Sequence, residues 1–507
     1  MNLGEIIAFI AYFVIVLGVG IYFFLKSKGA GEKDYFLGGR NMGGLVAALS
    51  AGASDMSAWV LMGLPGAICI LGLGQVWISI GLIIGTICAW IFVAPKLRRY
   101  AIKADDAITI PQYLSNRFKA KNNVLRITCA VIFVIAYCIY AASSISACGT
   151  LFNMLTGGAI DKVWGMIIAA IIIGVYTLLG GFNAVCWTDF FQGMLMLGAL
   201  LLLPIIALFV INGDGFTAVG TVITSENYFS LLSSGTFNYQ SFADIISGLG
   251  WGFGYFGMPH IIVRYISIKN ESEMRKSQIV GSAWTTIICI MASVVAVVAH
   301  QYFGDFINGD NKEQVFILLA RYLVPGVLSG VLISAVMAAS MSTADSQLLA
   351  SSSAFSSDIF KSTIKKNATD KEMLFVGRIA VVVVLAIALL IALLPGTGGI
   401  MGLVESAWAI FGAAFGPVII LSLYFRRLNY VGAVSSIITG FVVTVVWQYV
   451  FAPITGIYEI IPGFILSLIV AIVVSLLTKA PSKEITDTFD EVSKMTYKEE
   501  IQKEINA

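Results

Sequence analysis

Apolar residues run along this chain in stretches of about 20, the length one helix needs to cross the hydrocarbon core of a bilayer. Thirteen such stretches are read, at roughly 5–25, 44–71, 75–94, 124–150, 163–181, 188–211, 241–265, 279–302, 325–350, 374–394, 400–424, 430–450 and 458–478. Polar residues gather in short connections between them, which leaves little room for a separate catalytic domain. The pattern predicts an all-α polytopic membrane protein: one transmembrane domain over 1–480 and a charged tail over 481–507.

Two stretches interrupt the pattern. The second reads LSAGASDMSAWVLMGLPGA, with Gly52, Gly63, Pro65 and Gly66; the seventh reads ISGLGWGFGYFGMPH, with Gly248, Gly250, Gly252, Gly254, Gly257 and Pro259. Glycine and proline at mid-span free backbone N–H and C=O groups, which are costly in hydrocarbon unless something uses them. The two stretches are five apart, an odd number, so they cross in opposite directions. Paired interrupted helices in inverted halves are a sequence mark of a secondary transporter's binding site. Each stretch alone also suits close helix packing through small residues, as at Gly248 and Gly252; their antiparallel pairing favours a site. The run Gly252–Gly257 matches Gly-x-Gly-x-x-Gly, but no strand precedes it, so a dinucleotide site is excluded.

Composition agrees: 58% of the 507 residues are hydrophobic and 12% charged, against roughly 25% charged in soluble chains. A soluble enzyme is excluded, and a net charge of +2 gives no field for nucleic acid. Of the 31 Lys and Arg, 28 fall on alternate connections, leaving only Lys162, Lys312 and Arg321 for the other face. By the positive-inside rule this places the N-terminus outside and the C-terminus inside. The first stretch is a retained helix rather than a signal peptide, because its positive charges follow the apolar run. The seven cysteines sit in apolar runs as small core residues, and two histidines are too few for a His-based metal site.

The remaining intramembrane polar residues suggest a cation. Asp55 lies midway along the second stretch, where a carboxylate costs about 2.5–3.5 kcal/mol; Arg40 belongs to the stretch's basic end, so an ion from solution, or backbone N–H groups at the break, must satisfy it. In the ninth stretch, positions 339, 342, 343 and 346 follow i, i+3, i+4, i+7 spacing. The carbonyl of Ala339 and the hydroxyls of Ser342, Thr343 and Ser346 therefore share a face, with Asp345 among them. Asp189 lies near the basic end of the sixth stretch. Trp59, Trp251, Tyr255 and Tyr140 lie near the breaks and could wall a pocket for a small, partly apolar solute.

The stretch DYFLGGRNMGGLVAALSAGASDMSAWVLMGLPGA from Asp34 resembles the sodium/solute symporter family, and within it the branch that carries proline. WTD (Trp187–Asp189), GWGFGYFGMPH (Gly250–His260), MSTADSQLL (Met341–Leu349), WAIFGAAFGPV (Trp408–Val418) and YEIIPGF (Tyr458–Phe464) continue the match. The resemblance implies a LeuT-type fold of two inverted five-helix repeats, about 44–211 and 241–424, in the cell membrane. It implies L-proline and sodium as the transported partners, sodium as the coupling ion, and no nucleotide. By the same resemblance, Ala53, Met56, Ala339, Ser342 and Thr343 form the sodium site and Asp55 serves sodium-dependent function. Ser57, Trp59, Gly63, Tyr140, Trp251, Tyr255 and Pro259 are implicated in proline binding, and Arg40 and Asp189 in coupling and ion passage. Some relatives bind a second sodium at positions matching Asp189, Ser342, Asp345 and Ser346; this chain carries an acid at 345 where they carry a hydroxyl. Alternatives are the same fold serving another amino acid or pantothenate, and a passive channel.

Overall fold

The computed structural model describes residues 3–26, 31–213, 217–221, 227–309, 311–397 and 399–495. Among these residues the chain is helical, with one isolated parallel bridge between Met42 and Ile268 and no strand. Helices occupy all thirteen predicted stretches. Ten are long and apolar enough to cross a membrane, and the bent pair Gly44–Asp55 and Ala58–Leu71 makes eleven. The other two stretches are Lys162–Gly180, whose apolar part is shorter, and the seventh, divided into Tyr239–Gly250 and Pro259–Ser267. Large apolar side chains face outward, Phe209 at 77% and Leu477 at 81% exposure, which suits lipid and not water.

Burial separates centre from periphery. The apolar windows of Gly399–Tyr424 and Gly326–Ile364 are 89% and 83% buried, against 28% for Leu3–Phe23. Gly326–Ser353 packs on Leu3–Lys26, Val124–Leu155 and Phe182–Ile211, and Gly44–Asp55 packs on Phe182–Ile211 and Glu271–Phe303. The second interrupted stretch lies between Val76–Cys88 and Gly399–Tyr424.

Each break has a local cause. In the first, Met56 leaves helical geometry (φ −79°, ψ 66°) and the two halves bend by 70°. Ser57, in extended conformation, restarts the chain by accepting the Trp59 N–H on its hydroxyl. In the second, Trp251–Phe256 is a 3₁₀ segment, in which side chains at i and i+3 eclipse. Glycine also admits a neighbouring helix: a Cβ on Gly254 would lie 2.1 Å from the Trp408 ring. Met258 is extended, as a residue before proline prefers, and Pro259 opens the next helix, where its missing N–H is not needed.

At the basic end the two interrupted stretches are tied together. Met42 N–H donates to Ser267 C=O (3.1 Å) and Lys269 N–H to Met42 C=O (3.0 Å). Arg40 sits in left-handed conformation (φ 57°) after Gly38 and Gly39, both also at positive φ. That geometry costs a side-chain-bearing residue roughly 1–2 kcal/mol. Its guanidinium donates to Ile266 C=O (2.9 Å), to the Asp106 carboxylate (2.7 Å) and to Ala107 C=O. Burial pushes Asp106 up, but Lys33 and Arg40 outweigh it and hold the carboxyl below its usual range. The tail is not simply solvated: Lys483–Lys494 is a helix that buries Phe489 and Val492, with Asp490 on Arg426 (2.8 Å) and Glu491 on Lys103 (2.5 Å). Residues 496–507 of the predicted tail lie outside the described residues.

Close backbone approach holds the second break in place. A Cβ on Gly81 would lie 2.4 Å from Gly248 C=O, and one on Gly85 would lie 2.3 Å from Gly252 C=O. Gly85→Ala is expected to destabilise the protein by about 1–3 kcal/mol, read as a lower thermal midpoint in detergent. Gly18→Ala, where nothing lies within 4 Å of the new methyl, is the control and leaves the midpoint unchanged.

Candidate ion and solute site

The turn at Met56–Ser57 frees a carbonyl. In a continuous helix Ala53 C=O would accept the N–H of residue 57; here Ser57 N–H turns to Asp55 C=O instead (2.9 Å). Ala53 C=O is met from the neighbouring helix by Ser342 Oγ (2.8 Å), which also lies 3.1 Å from Ala339 C=O. Thr343, the next residue on that face, is fully buried and its Oγ1 has no hydrogen-bond partner. Four of the five residues expected around sodium thus share one place, and Met56, also fully buried, forms the turn beside them. An oxygen set with one freed carbonyl and one unpartnered hydroxyl suits a hard monovalent cation.

Asp55 is 1% exposed. No backbone N–H bonds to its carboxylate: Oδ2 accepts the Tyr255 hydroxyl at 2.5 Å and Oδ1 has no partner. A hydrogen bond therefore joins the two breaks. The main-chain carbonyl of Asp55 accepts Tyr140 Oη (3.2 Å) and Trp59 Nε1 (3.4 Å). Trp59 lies against Trp251 (ring centroids 5.5 Å), Trp251 against Tyr458 (5.4 Å), and Tyr255 edge-on to Trp408 (5.4 Å). Ser57 and Gly63 belong to the same turn region, Gly63 facing Met401. Pro259 lines a separate narrow cleft with Val263, Arg264 and Ser346.

A second polar cluster lies toward the basic side. Asp189 Oδ2 accepts Ser50 Oγ (2.6 Å) and Arg264 Nη2 (2.9 Å), and Ser346 Oγ lies 3.5 Å away. Arg264 also donates to Ser346 Oγ (2.6 Å) and Ser50 Oγ (2.8 Å). Asp345 Oδ1 receives Ser346 Oγ at 3.4 Å, while Asp345 Oδ2 and Asp189 Oδ1 are unpartnered. Of the four residues expected at a second sodium site, Asp189, Asp345 and Ser346 are brought together, while the Ser342 hydroxyl turns to the Ala53 and Ala339 carbonyls instead. Arg264, 1% exposed, is the member that sequence reading missed, because it was counted among the loop charges that set orientation. The unpaired acid at 189 was the signal for it. Arg40 is remote from this cluster's contacts and belongs to the clasp at the basic end.

A pair of interrupted helices joined at a buried, oxygen-lined place, inside a bundle of apolar helices, defines a membrane carrier of the secondary-transport class. The sodium:solute symporter family matches residues 35–440. The chain is 40% identical to the osmoregulated proline transporter OpuE of Bacillus subtilis over 490 residues, 95% of this chain and 96% of that one. It is 41% identical to a sodium/proline symporter of Staphylococcus aureus, with 93% of this chain and 92% of that one covered. The structure of a Na+-coupled sialic acid symporter superposes with a TM-score of 0.77 at 20% identity, covering 95% of this chain and 99% of that one. The chain belongs to the sodium:solute symporter family, and it shares the fold of that sialic acid symporter.

A hydrogen bond to a charged group is worth about 1.5–3 kcal/mol. Tyr255→Phe is therefore expected to lower unfolding stability by about that amount. In a double-mutant cycle with Asp55→Asn the loss shrinks, because the neutral amide needs the phenol less; additive losses would show that the bond carries no coupling.

Proposed function

We propose that this protein couples inward movement of sodium to uptake of L-proline across the cell membrane by alternating access. The observation that carries the reading is the Ser342 hydroxyl set on the Ala53 carbonyl that the break releases, with Thr343 unpartnered beside it. Sodium is held there by Ala53, Met56, Ala339, Ser342 and Thr343. Proline binds next to it among Ser57, Trp59, Gly63, Tyr140, Trp251 and Tyr255, its ring on the indoles and its carboxylate toward N–H groups at a half-helix start. Pro259 acts at a distance, by fixing the start of the moving half-helix. The curated relatives named for proline, each matched over more than nine-tenths of this chain, support the choice of solute.

In this reading the chain crosses the membrane thirteen times, N-terminus outside and C-terminus inside, as one domain over 1–480 with repeats at about 44–211 and 241–424. The charge distribution supports that orientation. The Arg40 clasp ties both interrupted stretches on the cytoplasmic side and must release for inward opening. Sodium leaving its cage would then descend one helical turn, from Ser342 to Ser346, and meet Asp189. Arg264 already pairs with Asp189, so we read the group Asp189, Ser342, Asp345 and Ser346 as a relay for the departing ion rather than a second resting site.

The energetics suffice without nucleotide. One charge crossing 100 mV contributes about 2.3 kcal/mol, and a tenfold sodium gradient about 1.4 kcal/mol more. With one sodium per proline this supports an accumulation of about 500-fold.

Labelled L-proline uptake into proteoliposomes tests the reading: uphill accumulation is expected with an inward sodium gradient and none with potassium or choline. Gradient-independent flux would remove symport, and failure of proline against a competitor panel would remove the solute. Ser342→Ala and Thr343→Val are each expected to raise half-saturating sodium about tenfold, equivalent to about 1.4 kcal/mol, with little change in proline KM at saturating sodium. Asp55→Cys is expected to weaken sodium activation further. Wild-type sodium affinity in all three would place the ion elsewhere.

A further inference from the structure

On the side opposite the basic loops, a cavity of about 500 Å³ reaches down to Trp251, the indole that lies against Trp59. Its rim comes from residues 74–75, 396–397 and 456–459. Among the described residues, three carboxylates line it, those of Asp244, Glu405 and Glu459, with no Lys, Arg or His. Asp244 is engaged within its own segment, accepting Gln240 Nε2 (2.9 Å) and the Ser233 hydroxyl. The other two come from different helices.

Glu459 is the informative residue. It stands immediately before Ile460–Leu477, where an acidic side chain ordinarily caps free N–H groups and meets the positive end of the helix dipole. Here it makes no side-chain cap. It is 4% exposed and lines the cavity, and its Oε1, closed off from solvent, has no hydrogen-bond partner. The neighbouring Tyr458 hydroxyl donates to Glu405 C=O at 2.8 Å, which fixes the two acid-bearing elements against each other. A buried carboxylate with no basic partner is costly, and a cleft lined by one sign of charge concentrates counter-ions. The further donors on the walls, Ser247, Thr397 and Ser406, are oxygens as well, the ligand type that hard cations prefer.

We propose that Glu405 and Glu459 form a capture site for sodium in the external vestibule, one stop before the cage at the first break. This rests on the sodium-symport reading above. The site raises the local sodium concentration over the Trp251 floor, so the cage fills at lower external sodium than its own affinity would require. It takes no part in holding proline.

The test uses the full chain in proteoliposomes, with choline replacing sodium at constant ionic strength. Glu405→Gln, Glu459→Gln and the double variant are compared with wild type for half-saturating sodium, proline KM at saturating sodium, and maximal rate. Half-saturating sodium is expected to rise about threefold or more in the double variant, most at low ionic strength, with proline KM and maximal rate unchanged. Glu459→Asp, which keeps the charge, is expected to recover most of the wild-type value. An unchanged maximal rate and thermal midpoint exclude misfolding as the cause. Unaltered half-saturating sodium in the double variant overturns the capture site. So does a rise in proline KM at saturating sodium, which would assign the acids to the ammonium of the solute. Loss of sodium dependence in the wild type would instead sink the symport reading, so the two failures are distinguishable.

Discussion

Inside a bilayer a backbone carbonyl has no water to turn to, and leaving it unpaired costs several kcal/mol. That constraint makes the turn at Met56–Ser57 the feature on which the molecule depends. Once Ser57 N–H goes to Asp55, Ala53 C=O must be satisfied from elsewhere, and the neighbouring helix supplies Ser342. The position of Gly326–Ser353 at the buried centre, with its run of small hydroxyl residues, follows from that need. An apolar side chain at 342 would leave the freed carbonyl unpaired.

The second break obeys the same rule by different means. Its 3₁₀ segment spends backbone bonding locally, and glycine lets helices press against it: Gly81 and Gly85 on one side, Trp408 on the other. Trp408 closes the arrangement by donating its Nε1–H to Trp251 C=O at 2.7 Å. An aromatic wall and a backbone anchor are thus the same residue. At the basic end the strained Arg40 plays a comparable part, since its guanidinium joins two distant segments, at Asp106–Ala107 and at Ile266.

Most of the fold was legible because its signals are one-dimensional. Apolar length locates the helices, and Gly and Pro at mid-span locate the breaks. The i, i+3, i+4 register of Ala339, Ser342 and Thr343 placed them on one face without any knowledge of its partner, the Ala53 carbonyl. What stayed hidden was pairing across distant segments. Tyr255 was legible as an aromatic near a break, but nothing in sequence tells that its hydroxyl reaches Asp55, 200 positions away. Arg264 illustrates the opposite failure: a charge four residues from a loop reads as interfacial, and only the packing of Asp189, Ser50 and Ser346 around it shows it to be internal. Trp408 and Tyr458 lay in motifs already matched, yet their places beside Trp251 and Tyr255 depend on how the later helices fold back. The docking of the tail helix was obscured by its charge content, whose pairs with Arg426 and Lys103 are long-range.

The hydrogen bond between Tyr255 and Asp55 carries a thermodynamic consequence. It joins the first break to the 3₁₀ segment that carries Trp251, and under the proposed symport it lies between the elements that would order around ion and solute. Any ligand that orders one of these elements changes the free energy of ordering the other, and linkage between two binding events is reciprocal. The factor by which solute tightens the ion is therefore the factor by which the ion tightens solute. Reciprocity holds whatever carries the coupling; the phenol, with the Arg264–Ser50 hydrogen bond between the same two stretches, contributes to its strength.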